Sequence, residues 1–266
     1  MFSNTTIYQV DAFADKPFKG NPAGVMLLEN AVSEEWMQNM AMEMNLSETA
    51  FVLPVEDYFE IRFFTPTVEI PLCGHATLAS AHVMYEVGLI SKDESNNFKA
   101  KGGDLVIKYD ASFVAMTFPE YTNTKIEIPE NFKTSLGFQP VELYASNDNW
   151  LVAVAEHQTD IENCTPNFET LVSNGLGQLM ITSKASLKDV DFVVRCFVPE
   201  AGINEDPVTG SAHCALTPLW SKKLEKSKMI SHQISKRGGV LNLTYSNNSV
   251  KIKGKAIIIF KAELSI

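Results

Sequence analysis

Apolar and polar residues alternate from Ile7 to Phe13, and this period of two predicts a strand. Gly20-Asn21-Pro22-Ala23-Gly24 predicts a turn, with Val25 to Leu28 as the next strand. The period then lengthens. Ser33 can cap a helix whose first turn carries Glu34 and Glu35, whose buried face holds Trp36, Met40 and Met44, and which Asn45 stops. Ala50 to Leu53 and Phe59 to Phe64 are strand-like again. A helix opens at Gly74, is kept narrow by Ala76, Ala79, Ser80 and Ala81, and ends at Gly88. Strands follow at Leu105 to Tyr109 and Phe113 to Phe118, joined by a turn at Asp110-Ala111.

Tyr121 to Gln139 is polar with scattered prolines and reads as a connection. Beyond it, Leu151 to Ala155 and Val190 to Val198 are strands, and another helix starts near Gly210. Pro218 is expected to kink or end that helix, because its ring clashes with the preceding turn. Leu241 to Tyr245 and Val250 to Phe260 are the closing strands. Each half therefore gives strands, a helix and strands.

The halves share more than order. Glu69-Ile70-Pro71-Leu72-Cys73-Gly74-His75-Ala76 and Glu205-Asp206-Pro207-Val208-Thr209-Gly210-Ser211-Ala212 both read E-x-P-x-x-G-x-A, 136 positions apart. Upstream, Arg62-Phe63-Phe64-Thr65-Pro66 and Arg195-Cys196-Phe197-Val198-Pro199 both read R-x-F-x-P. Downstream, Gly102-Gly103 pairs with Gly238-Gly239, and Tyr109 with Tyr245. The spacing is too long for a solenoid repeat. The fold class expected is α+β: two pseudo-symmetric domains, each a curved, mostly antiparallel sheet around a central helix. Their expected extents are 1–120, joined by the C-terminal strand 256–266, and 128–255.

Composition narrows the partners. The chain has 22 Lys and Arg against 32 Asp and Glu, a net charge of −10, which argues against nucleic acid. It shows neither a signal peptide nor an apolar stretch of membrane-spanning length, so a cytoplasmic protein is expected. Cys73, Cys164, Cys196 and Cys214 form no C-x-x-C pair and read as free thiols. No phosphate loop, dinucleotide fingerprint or H-E-x-x-H stands in the chain, so no cofactor and no metal are expected.

Candidate chemistry lies where the two motifs differ. A glycine at a strand-to-helix junction leaves the first helical N–H groups open to an anion, so Gly74 and Gly210 suit a small carboxylate in a site shared by the two halves. Cys73, at a helix start, is either an activated thiol or a small buried hydrophobe. His75 and its counterpart Ser211 can hydrogen-bond a carboxylate or hydroxyl, or stand idle at exposed helix starts. Asp206 either forms a turn or binds substrate, and its counterpart Ile70 shows that the turn does not require a carboxylate. Glu48 shares a strand face with Ala50 and Val52. A carboxylate on an apolar face is a candidate general base, although a solvated loop position is the commoner setting for a lone carboxylate.

Gly20-Asn21-Pro22-Ala23-Gly24, Ser47-Glu48-Thr49-Ala50-Phe51, Arg62 to Pro66, Leu72 to Thr77 and Glu205 to Ala212 together resemble the phenazine-biosynthesis PhzF-like proteins. The resemblance covers almost the whole chain. It implies the diaminopimelate epimerase-like fold, a homodimer, and cofactor-free isomerisation of a dihydro-hydroxyanthranilate by proton transfer. It implies Glu48 as the acid/base, with His75, Asp206 and Ser211 holding and polarising the substrate. Ser47, Asn21, Cys73, Gly74 and Gly210 fall in the same motifs and are expected to line the substrate. The epimerase pattern uses two cysteines; here only Cys73 occupies such a place, which argues against two-thiol chemistry. Two alternatives stay open: a racemase or epimerase using Glu48 and Cys73, and a metabolite-binding protein without catalysis.

Overall fold

The computed structural model describes residues 5–110 and 112–265. It divides into two compact units. One runs through Thr117 and takes back the chain from Lys253 onward; the other is Phe118–Ile252.

The first unit contains β1 (Thr6–Ala12), β2 (Asn21–Leu27), α1 (Glu34–Met44), β3 (Glu48–Val55), β4 (Tyr58–Phe64), β5 (Glu69–Ile70), α2 (Gly74–Glu86), β6 (Ser95–Ala100) and β7 (Gly103–Asp110). β1 and β2 form an antiparallel hairpin, β2 and β3 run parallel, and β3 and β4 are antiparallel. β2 and β3 are buried on both faces, so β3 shows an unbroken buried run from Thr49 to Val52 rather than alternation. One face takes α1: Phe51 packs with Met37, Met40 and Ala41. The other takes α2, which lies on β1, β2 and β3. Parity puts Glu48 on the α2 face with Ala50 and Val52.

The central helix is expected from its small residues, and Ala76, Ala79, Ser80 and Ala81 are all completely buried. Ser33 caps α1 through its side chain, and Asn45 ends it in the left-handed conformation. The buried stripe of α1 is Met37, Met40 and Ala41, with Trp36 and Met44 only half-buried at its edges. The expected turn at Gly20 to Gly24 shrinks to Gly20: Asn21 to Gly24 already pair with β1. Ala111 lies outside the described residues.

β8 (Phe113–Pro119) leads into the second unit, with β9 (Thr124–Ile126), α3 (Phe132–Leu136), β10 (Glu142–Ala145), β11 (Leu151–Val154), α4 (Gln158–Glu162), α5 (Phe168–Ser173), β12 (Leu179–Lys184), β13 (Phe192–Val198), β14 (Ile203–Asp206), α6 (Ala212–Leu224), β15 (Lys228–Gln233), β16 (Gly239–Ser246) and β17 (Ser249–Gly254). The segment 121–139 is more than a connection. Its β9 pairs with β10, and its Phe132, Leu136 and Phe138 join the unit's core. Val250 to Phe260 is two strands, not one. β17 ends at Gly254, and β18 (Ala256–Glu263) pairs antiparallel with β1 of the first unit's sheet.

Pro218 does not end α6, which runs on to Leu224. Proline lacks the N–H that would reach the Cys214 carbonyl four residues back. That carbonyl instead accepts the Tyr121 N–H at 2.9 Å, and the next one, of Ala215, accepts Asn123 Nδ2 at 2.8 Å. The acceptor freed by the proline is thus satisfied from outside the helix.

Candidate active site

In the first motif the chain leaves β5, passes Pro71 and Leu72, and turns into α2 at Cys73, the extended N-cap. The Cys73 carbonyl accepts both the Thr77 hydroxyl at 2.7 Å and the Thr77 N–H at 3.1 Å, which fixes the first turn. His75 follows on that turn and is only 6% exposed. Glu48 opens β3 opposite Ala23 of β2, and Asn21 opens β2. Because β2 and β3 are parallel, both residues lie at the same end of the sheet, and α2 brings His75 to them.

The imidazole stands between two sets of groups. Nε2 lies 3.1 Å from Glu48 Oε2. Nδ1 lies 3.4 Å from Cys73 Sγ and 3.4 Å from Asn21 Nδ2. Glu48 Oε2 and His75 Nε2 are close without the alignment of a hydrogen bond, and both are buried atoms lacking a hydrogen-bond partner. Two such groups side by side leave bonding capacity that a bound molecule can fill.

Burial works against a charged His75, but the facing Cys73 and Glu48 groups outweigh it and hold the imidazole well above its ordinary value. The carboxylate beside Nε2 is the charge that favours the imidazolium, because the thiol is itself held in its neutral form. Burial first, and then the Glu48 charge, push the Cys73 thiol up. Of the two readings the sequence leaves open for Cys73, the buried thiol is favoured over the activated one: Cys73 is 7% exposed and faces a carboxylate.

Glu48, Cys73 and His75 offer ligand atoms within 4.8 Å of one another, a donor set that zinc accepts. Within this set Cys73 Sγ stands at Nδ1 and Glu48 Oε2 at Nε2 of the one imidazole.

In the second motif Asp206 closes β14, Ser211 is the N-cap of α6, and Gly210 is buried between Thr209 and Ser211. Ser211 is exposed, and its side chain makes no capping bond. The Thr209 hydroxyl donates to Asp206 Oδ2. Gln233, completely buried at the end of β15, accepts the Thr209 N–H at 2.9 Å and donates to the Asp206 carbonyl at 2.8 Å. His213, at the repeat position of Thr77, likewise meets the carbonyl before the glycine: its Nδ1 lies 2.9 Å from Thr209 O, and its Nε2 lies 2.8 Å from Ser231 Oγ. Burial drives His213 down to about 4, so it is a neutral structural residue. His82 is also satisfied locally, 2.8 Å from the Tyr109 hydroxyl.

Of the expected residues, the first unit brings Glu48, His75, Cys73 and Asn21 together, with Gly74 at the helix start and Ser47 beside Glu48 in the chain. The second unit gathers Asp206, Gly210 and Ser211 on one turn. Sequence reasoning missed Thr209 and Gln233 as the residues that shape this turn. One signal was present: Met229, Ser231 and Gln233 occupy the buried alternation of β15, which places two polar side chains where apolar ones are usual.

Residues 10–262 match the model of the phenazine biosynthesis-like protein family. The chain belongs to this family. It is 41% identical to an uncharacterized isomerase of Halalkalibacterium halodurans over 98% of both chains. The crystal structure of a phenazine biosynthesis protein family member from Enterococcus faecalis is 38% identical and superposes with a TM-score of 0.93, covering 98% of this chain and 99% of that one. A hydroxyproline epimerase structure from Agrobacterium vitis shares the fold at a TM-score of 0.61 and 11% identity, covering 99% of this chain and 94% of that one. The family's fold is thus the epimerase-like one, and family relatives carry the name isomerase. No helix among the described residues is long and apolar enough to cross a membrane.

Proposed function

We propose that the chain is a cofactor-independent isomerase that moves a proton on a small carboxylate-bearing substrate of the dihydro-hydroxyanthranilate kind. The observation that carries this reading is the contact of Glu48 Oε2 with His75 Nε2, two buried atoms whose hydrogen bonding is incomplete. Glu48 removes the proton from a substrate carbon and returns it at another. His75, held toward its charged form, donates from Nε2 to the oxygen or nitrogen on which negative charge develops. Cys73 Sγ can accept from the opposite ring nitrogen, Nδ1, and so keeps Nε2 turned to Glu48.

The part assigned to the second unit rests on the repeated motif and the family resemblance. Ser211 and the N–H groups at Gly210 bind a substrate carboxylate, and Asp206 binds an amino or hydroxyl group. A homodimer is proposed on the same resemblance, and a cytoplasmic setting on the free cysteines. The deciding experiment is turnover in deuterated water: deuterium should enter a substrate carbon with the wild-type protein and fail to enter with Glu48→Gln. Full incorporation by that variant sinks the assignment.

The alternative is a racemase or epimerase in which Glu48 and Cys73 act on opposite faces of one carbon. Cys73→Ala separates the two readings: the isomerase retains turnover and the epimerase loses it. The neutral, buried thiol bonded to His75 Nδ1 supports the first.

A further inference from the structure

The β1–β2 hairpin is closed by residues 13–20, and two phenylalanines in this loop adopt left-handed backbone: Phe13 at φ 59° and Phe18 at φ 68°. For a bulky side chain such a conformation is a true outlier. The two differ in what compensates it. Phe13 is 1% exposed, and its ring packs so closely on Gly254 that a Cβ there would come within 2.4 Å of it. Phe18 is 73% exposed. Its conformation is nevertheless built in, because its N–H donates at 2.7 Å to Oδ2 of Asp11, a carboxylate almost completely buried in β1. A buried anion thus holds a strained backbone in the shape that leaves a large aromatic ring in solvent. Folding gains nothing visible from that ring.

Topology places the loop. Asn21, which meets His75, follows Phe18 by three residues and pairs with Ala12 at the loop end of the hairpin. β2 and β3 start at that same end, where Glu48 faces Ala23. The loop therefore springs from the end of the sheet that carries the Glu48–His75 contact.

We infer that Phe18 is a substrate-contact residue that covers one face of a planar, unsaturated carboxylate-bearing ring bound at Glu48 and His75. The inference deepens the proposed isomerase reading and rests on it. Exposed aromatic rings recognise flat apolar faces by offset stacking, and removing one typically weakens binding by about 3- to 10-fold.

The test uses the full chain and 3-hydroxyanthranilate, the aromatic counterpart of the dihydro ring, as the probe. Its affinity is measured by calorimetry for the wild type, Phe18→Ala, Phe18→Gly and Phe18→Trp, with melting temperature and oligomeric state recorded for each. Binding should weaken about 3- to 10-fold in the Ala and Gly variants and be kept by Trp. The Gly variant should melt above the Ala variant, because only glycine relieves the left-handed backbone. Equal affinity for wild type and Phe18→Ala overturns the inference while leaving the isomerase reading intact. A change of oligomeric state in Phe18→Ala with unchanged affinity also overturns it, and assigns the ring to contact between copies. If the wild type does not bind the probe, the planar-ring reading of the substrate fails, and this inference with it.

Discussion

Arg195 grips Glu205 through two parallel hydrogen bonds, Nε to Oε1 at 2.7 Å and Nη2 to Oε2 at 3.0 Å. Arg62 grips Glu69 in the same fork at 2.7 and 2.9 Å. Each guanidinium also lies over the phenylalanine two residues on, Phe197 at 5.0 Å and Phe64 at 5.2 Å. The shared R-x-F and E-x-P elements are thus one physical device, an arginine that ties the end of a strand to the motif preceding a central helix. Its surroundings differ. Arg195 Nη1 donates to the carbonyls of Ile161 and Cys164, whereas Arg62 reaches the exposed Glu34.

That difference sets the first expectation. Lysine cannot reproduce the fork. Arg195→Lys should destabilise the protein by about 1 to 2 kcal/mol more than Arg62→Lys, since it also abandons two partly buried carbonyls. Urea denaturation of both variants measures the gap, and equal losses would show that the carbonyl contacts contribute nothing.

Glu48→Gln should do more than stop proton transfer. Removing the charge beside Nε2 takes away one of the contributions that raise His75, so its titration should move down. Nitrogen-15 shifts of the ring across a pH series report this directly. The sign for stability follows: a histidine raised in the fold contributes stability that is complete below its unfolded value and disappears as pH rises through its folded value. The stability gap between wild type and Glu48→Gln should therefore narrow at alkaline pH. An unchanged His75 titration refutes the electrostatic coupling.

All four cysteines are free and buried, and burial raises each thiol. Ellman's reagent at neutral pH should find no fast-reacting thiol in the native protein and four after denaturation. A rapidly labelled Cys73 would revive the thiol epimerase reading.

His213 provides an acid-sensitive point beneath the turn of the second motif. Its value falls from the ordinary 6.5 to about 4 in the fold, so the unfolded chain binds the extra proton between those limits. The stability it contributes is present above about 6.5 and lost as pH falls toward 4, on the order of 3 kcal/mol. His213→Gln should be less stable at pH 7 and show a flatter decline on acidification. Parallel melting curves at pH 7 and pH 5 decide this, and an identical slope for both proteins rules it out.

Much of this architecture is written locally. Ser33, Asn45 and the small residues from Ala76 to Ala81 act within a turn or two of themselves, so sequence alone determined α1, α2 and the two-fold repeat. It also offered Glu48, His75, Asp206 and Ser211 as candidates for chemistry. Tertiary structure decided what local pattern cannot encode. Pro218 remains inside a helix because Tyr121 and Asn123, distant in sequence, supply the hydrogen bonds near it. Cys73 is a raised thiol because burial and a carboxylate from another strand both disfavour its charged form. Gln233 shapes the second motif from a strand that carries no motif at all. Periodicity and capping depend on neighbours in the chain. Burial, charge and the satisfaction of carbonyls depend on neighbours in space, and only the folded chain brings those together.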